Sequence, residues 1–291
     1  MSQFLVRYQI DPFVYSVLDN LFEDSQINNF EDWVYKGHSE VIRKKMTSKL
    51  NSEWITRNYL SVKMILSATT MLTSLEYAIE KNLQVTVPYL SYYSLITCCR
   101  AFLYTIPYNK WTNNKQFLTM EHSKIINNTT NFLKQLDKRF SDKLNGMLLH
   151  YKEWRELFSY KFPASGIDRY SDNQYTIEEL IETCKIICEL AQLSSEQLQK
   201  YLFKNCIEDL EDWTSIDNEF IQNCYVYNEI LDSEDYYRVR YIQRKQPFPT
   251  SIYYTMTEGM VEDFFATWAS ESEEDDLYNP DANWQIIFPV P

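Results

Sequence analysis

Glycine is nearly missing from this chain: 4 residues in 291, where average usage of about 7% would give roughly twenty. Glycine-rich phosphate loops, β-solenoids and many-turned β-sandwiches all need residues that tolerate left-handed backbone, so their scarcity excludes those designs and favours long helices. There is no Gly-x-x-x-x-Gly-Lys-Ser/Thr, no Gly-x-Gly-x-x-Gly and no Gly-x-Ser-x-Gly, which argues against P-loop ATP hydrolysis, Rossmann dinucleotide chemistry and serine-esterase activity. No nucleotide cofactor is expected, and no other cofactor. The three histidines, His38, His122 and His150, show no His-x-x-His or His-Glu-x-x-His spacing, and no Cys-x-x-Cys accompanies them. No window approaches the roughly eighteen uninterrupted apolar residues of a membrane span. The start, Met1 to Arg7, has no apolar stretch of signal-peptide length. The expectation is a cytoplasmic protein with no membrane partner.

What is present is apolar and aromatic. Hydrophobic residues make up 45% of the chain, enough for a sizeable core, and the 23 tyrosines exceed what a core needs. The net charge of −13 argues against indiscriminate nucleic-acid binding. That total conceals an asymmetry. Residues 1–204 balance at +2, whereas residues 205–291 hold four Lys/Arg against nineteen Asp/Glu, a balance of −15. Two stretches of the first part, 36–63 and 110–161, are locally basic and suit RNA phosphates, or else form solvated helix faces. Six cysteines stand at positions 98, 99, 184, 188, 206 and 224. Cys184 and Cys188 share a helix face, yet no further ligands stand at metal-binding spacing, so no metal site is expected and buried thiols are the default.

The apolar period marks the organisation. Ser39 to Asn82 contains neither proline nor glycine, and Leu60, Met64, Ala68, Met71, Leu75 and Ile79 recur every three or four residues. This predicts one long helix, kinked near Asn51. Pro88 opens a helix that is apolar nearly all round and that Pro107 closes, followed by a polar loop over Asn109 to Lys115. A third helical zone runs with breaks from Glu121 to Tyr160. Thr176 and Glu179 form a capping box for a helix reaching about Leu202. After Asn205 the pattern alternates. Tyr225 to Tyr227, Tyr236 to Ile242 and Ser251 to Met256 read as strands, Val261 to Ala269 as a short helix, Glu271 to Asp276 as an acidic run, and Trp284 to Phe288 as an apolar tail that docks on the body or on another chain. The expected class is mainly α: a helical body over 1–204 and a small acidic α+β region over 205–291.

One ordered constellation carries chemistry. Pro88-Tyr89-Leu90-Ser91-Tyr92-Tyr93 leads into Cys99-Arg100-Ala101-Phe102-Leu103-Tyr104, then Glu121-His122-Ser123-Lys124, then Trp154-Arg155-Glu156-Leu157-Phe158-Ser159-Tyr160. Over residues 55–165 this order resembles the HEPN superfamily, the helical domains of bacterial toxin–antitoxin and antiviral defence systems. The resemblance lies in the paired tyrosines before an Arg-Ala-Leu-like step, the His-Ser/Lys segment opening the next helix, and the closing helix with arginine and aromatics. Ribonuclease members carry an arginine, about four to six intervening residues and then a histidine, the guanidinium stabilising phosphate charge and the imidazole handling a proton. Here the position five after Arg155 is Tyr160, the position five after Arg100 is Thr105, and His150 precedes Arg155 by five. Tyrosine is a poor general base near neutral pH, with an ordinary pKa of about 10.

The resemblance therefore implies a HEPN-like fold without that family's nuclease spacing: a non-catalytic component of a prokaryotic antiviral-defence or toxin–antitoxin assembly, acting through a protein partner or a homodimer, and through RNA at the basic stretches. Two alternatives stand beside it. One is an RNA-directed nuclease whose unconventional site is Arg155 with Tyr160 or His150. The other is a helical adaptor unrelated to nucleic acid. Arg100, His122, Tyr92 and Tyr93 are the candidate binding residues. Structural roles compete for each: an ion pair with a helix acid for Arg155, a helix cap for His122, core packing for the tyrosines.

Overall fold

The computed structural model describes residues 13–43, 45–167, 175–206, 213–270 and 277–290. The acidic run Glu271 to Asp276 lies outside them. The described chain is mainly α-helical. In order come α1 (Leu18–Leu21), α2 (Asp24–Ile42), α3 (Ser48–Glu80), α4 (Val87–Thr105), α5 (Asn114–Leu118), α6 (His122–Leu133), α7 (Lys138–Tyr160) and α8 (Ile177–Asn205). Then follow α9 (Asn218–Cys224), a hairpin of β1 (Val226–Tyr227) and β2 (Ile230–Leu231), α10 (Ser233–Lys245), α11 (Ile252–Thr255) and α12 (Glu258–Ala266).

The centre is α4. Pro88 stands in its first turn, where a missing amide costs nothing. The next three turns bury residues on nearly every side, among them Tyr92, Leu95, Cys98, Cys99 and Phe102. Helix α3 packs along it, and α6, α7 and α8 cover its other sides. Where one continuous helix was expected from Ser39, the chain instead breaks between α2 and α3. Arg43 adopts left-handed backbone (φ 51°), and the Thr47 hydroxyl accepts from the Leu50 amide at 3.2 Å to start α3. A threonine cap satisfies an amide the new helix would otherwise leave open. The break therefore falls ahead of Asn51. Helix α5 also begins inside the expected polar loop. The capping box at Thr176 is formed, with reciprocal bonds of 3.2 and 3.0 Å to Glu179.

After Asn205 helices replace two of the three expected strands. Residues Tyr236 to Ile242 lie within α10. The Asp232 carboxylate caps it, Glu234 and Asp235 occupy its first turn, and Arg244 and Lys245 its last, a charge order that suits the helix dipole. Its buried residues, Asp235, Val239 and Ile242, keep helical spacing, and that stripe outweighs the alternation of the letters. Ser251 to Met256 likewise turns into α11, because α8 supplies its caps from a distance. Gln199 Oε1, Ser195 Oγ and Gln192 Oε1 accept the amides of Ser251, Ile252 and Tyr253 at 2.8, 2.9 and 2.9 Å. Of the three expected strands Val226–Tyr227 alone forms, and it turns back through Asn228 and Glu229, both at positive φ, to pair with Ile230–Leu231.

One apolar cluster runs from Phe13 through α3, α4, α7 and α8 to Ile221, Val239, Phe265, Ile287 and Phe288, so residues on both sides of position 204 share a core. The apolar tail docks on the body, where Phe288 stacks on Phe13 at 5.3 Å. All six cysteines are free and buried, with Cys188 Sγ 3.8 Å from Cys98 Sγ across the α4–α8 contact. No helix among the described residues is long and apolar enough to cross a membrane.

Candidate functional site

The N-terminal half of α4 serves as a platform. Adjacent residues of a helix diverge by about 100°, so Tyr92 and Tyr93 reach different neighbours. Tyr92 meets the first residue of α6: its Oη lies 2.8 Å from His122 Nδ1. Tyr93 meets the second half of α7: Arg155 Nη1 donates to its Oη at 3.3 Å. The Arg155 guanidinium spans both rings, 5.1 Å from the Tyr92 centroid and 5.9 Å from that of Tyr93. The His122 ring closes the group at 5.5 and 5.9 Å from the same centroids. Two turns further along α4, Arg100 donates to the Met120 carbonyl at 3.3 Å, just ahead of His122.

The electrostatics follow from this convergence. Partial burial lowers the His122 pKa from its ordinary 6.5, and Arg100, Arg155 and Lys152 lower it further. Burial pushes the Tyr92 phenol up to about 12 against the opposing pull of Arg155. At neutral pH both groups are uncharged, so the 2.8 Å contact is a neutral hydrogen bond with two forms. Tyr92 donates to Nδ1 and leaves Nε2 as a donor, or it accepts from Nδ1–H and leaves Nε2 as a base. Among the described residues the acid paired with the guanidinium is Glu156, 3.2 Å from Arg155 Nη2 and 3.9 Å from Lys152 Nζ. The arrangement can hold an anion between cations and offer it an imidazole that both accepts and donates a proton.

Five of the seven residues singled out in the sequence thus belong to one cluster: Tyr92, Tyr93, Arg100, His122 and Arg155. Tyr160 and His150, considered as partners of Arg155, stand elsewhere. Tyr160 is 80% exposed. His150 packs between Tyr151, Trp154 and Tyr175. Both line a shallow groove of about 510 Å³ with Glu153 and Glu156, and Arg155 is not among its walls. His122 bonds Tyr92 and not the amides of its own helix, while the ion pair with a helix acid expected of Arg155 is present. Lys152 was not singled out, although it stands three residues before Arg155 and so shares its helix face. No protein-family model, no curated protein and no solved structure matches this chain.

Proposed function

We propose that the chain engages RNA phosphate at the Tyr92–Tyr93–His122–Arg155 cluster, as an HEPN-like component of a prokaryotic antiviral-defence or toxin–antitoxin assembly. The observation that carries the phosphate half of this reading is the convergence of Arg100, Lys152 and Arg155 on one uncharged, half-buried imidazole. A guanidinium presents forked donors that fit phosphate oxygens. The setting is supported by the resemblance of residues 55–165, and the basic stretch 110–161 contributes Lys152, Arg155 and His122.

The Tyr92–His122 pair favours a second reading, in which the bound RNA is cut. His122 Nε2 takes the proton of a ribose 2′-hydroxyl as that oxygen attacks phosphorus, and Arg155 stabilises the charge gathering on the phosphoryl oxygens. The 5′-oxygen leaves with a proton returned from the imidazole. This assigns to His122, from a different helix, the role that the family spacing would give to a histidine shortly after Arg155.

Fluorescence anisotropy of single-stranded RNA across a salt series tests both readings. Arg155→Ala should weaken binding about tenfold and reduce the slope of log affinity against log salt by about one. His122→Gln should retain affinity and lose any cleavage read on a gel. A wild-type protein without salt-dependent RNA affinity overturns the proposal and leaves the adaptor reading, with a protein partner or a homodimer.

A further inference from the structure

Helix α10 meets the body along one stripe and water along another. Asp235, Val239 and Ile242 are its buried residues. On the opposite side Glu234, Tyr237, Tyr241 and Arg244 are exposed. Their spacings of three, four and three residues keep all four within about 80° of one another on the helix surface. The two rings are 58% and 37% exposed, in a helix that has ample room for polar residues there.

The order along this face is symmetric. Glu234 and Arg244 lie five residues before and after Val239, and Tyr237 and Tyr241 lie two before and after it. In a twofold interface residue i of one copy meets residue j of the other, and j meets i. A face that carries opposite charges at equal distances from its centre therefore complements itself when a second copy is laid across it antiparallel. Glu234 then stands level with the partner's Arg244 and Tyr237 level with the partner's Tyr241, and both pairs occur twice.

The groups are available for these pairs. Among the described residues neither the Glu234 carboxylate nor the Arg244 guanidinium has an ion pair. The guanidinium lies over the two rings, 5.8 Å and 5.9 Å from their centroids. Arg238 is drawn aside, to Asp263 at 3.6 Å and the Met260 carbonyl at 3.1 Å. Toward α12 the two rings line a groove of about 420 Å³ with Ile242 and Met260, which leaves room for a ring from outside. Just ahead of α10 the hairpin exposes Val226, Ile230 and Leu231.

We infer that two copies of the chain associate through α10, antiparallel about a twofold axis level with Val239, with Glu234 paired to the partner's Arg244 and Tyr237 packed on the partner's Tyr241. Thirteen residues make a helix about 20 Å long, and one face of it covers less than the roughly 800 Å² per partner of a standard interface. The dimer is accordingly weak, with a dissociation constant on the order of ten to a hundred micromolar. The charge of −13 on each copy opposes approach, but a Debye length of about 8 Å at physiological salt screens distant acids and spares the contact pairs. This face shares no residue with the His122 cluster, so either reading can fail without the other.

Sedimentation equilibrium of the full chain over about 5–500 μM protein at about 0.15 M salt tests the inference. The wild type should show a reversible monomer–dimer equilibrium. Glu234→Arg or Arg244→Glu alone sets like charges at both ends of the seam and should weaken association about tenfold or more. Tyr237→Ala should weaken it about tenfold through lost ring contact. The chain carrying both reversals regains opposite charges and should return to within about threefold of the wild type. An equimolar mixture of the two single variants should do the same, since one chain then offers two arginines and the other two glutamates; mixing repairs no fold defect. A wild type that stays monomeric throughout overturns the inference and leaves the face to a different protein. Dimerisation that survives both single reversals and Tyr237→Ala lies elsewhere on the molecule and overturns it too. So does a mixture of the single variants that stays as dissociated as each alone.

Discussion

Asp235 is the point at which the last third of the chain is tied to α3, and replacing it measures that tie. It sits in the first turn of α10, 5% exposed. Its carboxylate accepts from Tyr59 Oη at 2.7 Å and from Tyr227 Oη at 3.3 Å, and it pairs with Lys63 Nζ. Asp235→Ala removes one partner of a buried ion pair, a change that costs about 3–5 kcal/mol where the remaining charge cannot reach water. Lys63 is 24% exposed and can turn outward, which brings its share down. The Tyr59 hydroxyl is left unpaired in the core at about 1–3 kcal/mol. The expected loss is about 3 kcal/mol. With an unfolding entropy of about 2.1 cal/mol/K per residue, a chain of this length has about 0.6 kcal/mol/K in total, so the melting temperature should fall by about 5 °C. Differential scanning calorimetry reads this directly. Tyr59→Phe alone, which leaves the carboxylate its other partners, should cost about 1 kcal/mol, or roughly 2 °C. The double variant should melt above Asp235→Ala, because it also removes the hydroxyl that the single change leaves unpaired in the core. An Asp235→Ala protein melting within about 1 °C of wild type would refute the assignment of this carboxylate as a structural tie.

Two further outcomes follow from buried polar groups on α8. Glu189 accepts the Leu18 amide at 2.9 Å, the Val17 amide at 3.1 Å and the Ser16 hydroxyl at 3.0 Å. Burial nevertheless raises its pKa above the ordinary 4.5, with these bonds pulling the other way. The fold then holds the proton more tightly than the unfolded chain does, so this group's contribution to stability falls as pH rises from about 4.5 to its folded value and is flat above. Paired urea melts should show the wild type losing stability relative to Glu189→Gln across that interval; a gain there would contradict the sign. Gln192→Leu strips the acceptor from the Tyr253 amide. It should cost about 1–3 kcal/mol and speed amide exchange in residues 252–255 before the rest of the molecule, whereas uniform exchange would show that α11 does not depend on this cap.

The helical body is legible because its signals are local. Pro88, the Thr176–Glu179 box and the period of α4 and α8 each act within a turn or two of the residues that display them. The errors after Asn205 come from signals that are not local. In Tyr236 to Ile242 polar and apolar letters alternate, but the burial that decides the element, at Asp235, Val239 and Ile242, depends on where α3 lies. For α11 the caps are side chains fifty to sixty residues away: Gln192, Ser195 and Gln199 on α8. Their polarity in the middle of a buried helix was itself a trace of this. So were Asn51 and Asn58 on α3, whose amides donate to the Pro247 and Thr250 carbonyls. Polar residues on a face otherwise apolar signal an irregular segment laid against it, since that segment's backbone groups need partners.

The candidate site divides in the same way. Residue types were readable: a paired tyrosine, an arginine, a histidine opening a helix. Their combination is not, because the helix that carries Arg155 holds no imidazole at the family spacing. The structure reaches an imidazole through α4. Two consecutive tyrosines cannot face one neighbour, since successive helical side chains diverge by about 100°. A pair that both satisfy partners must therefore bridge two elements. Tyr92 holds the start of α6, and Tyr93 the second half of α7. A histidine and an arginine thirty-three residues apart thereby come to share two aromatic rings, and the hydroxyls that hold them are the reason the tyrosines are not phenylalanines.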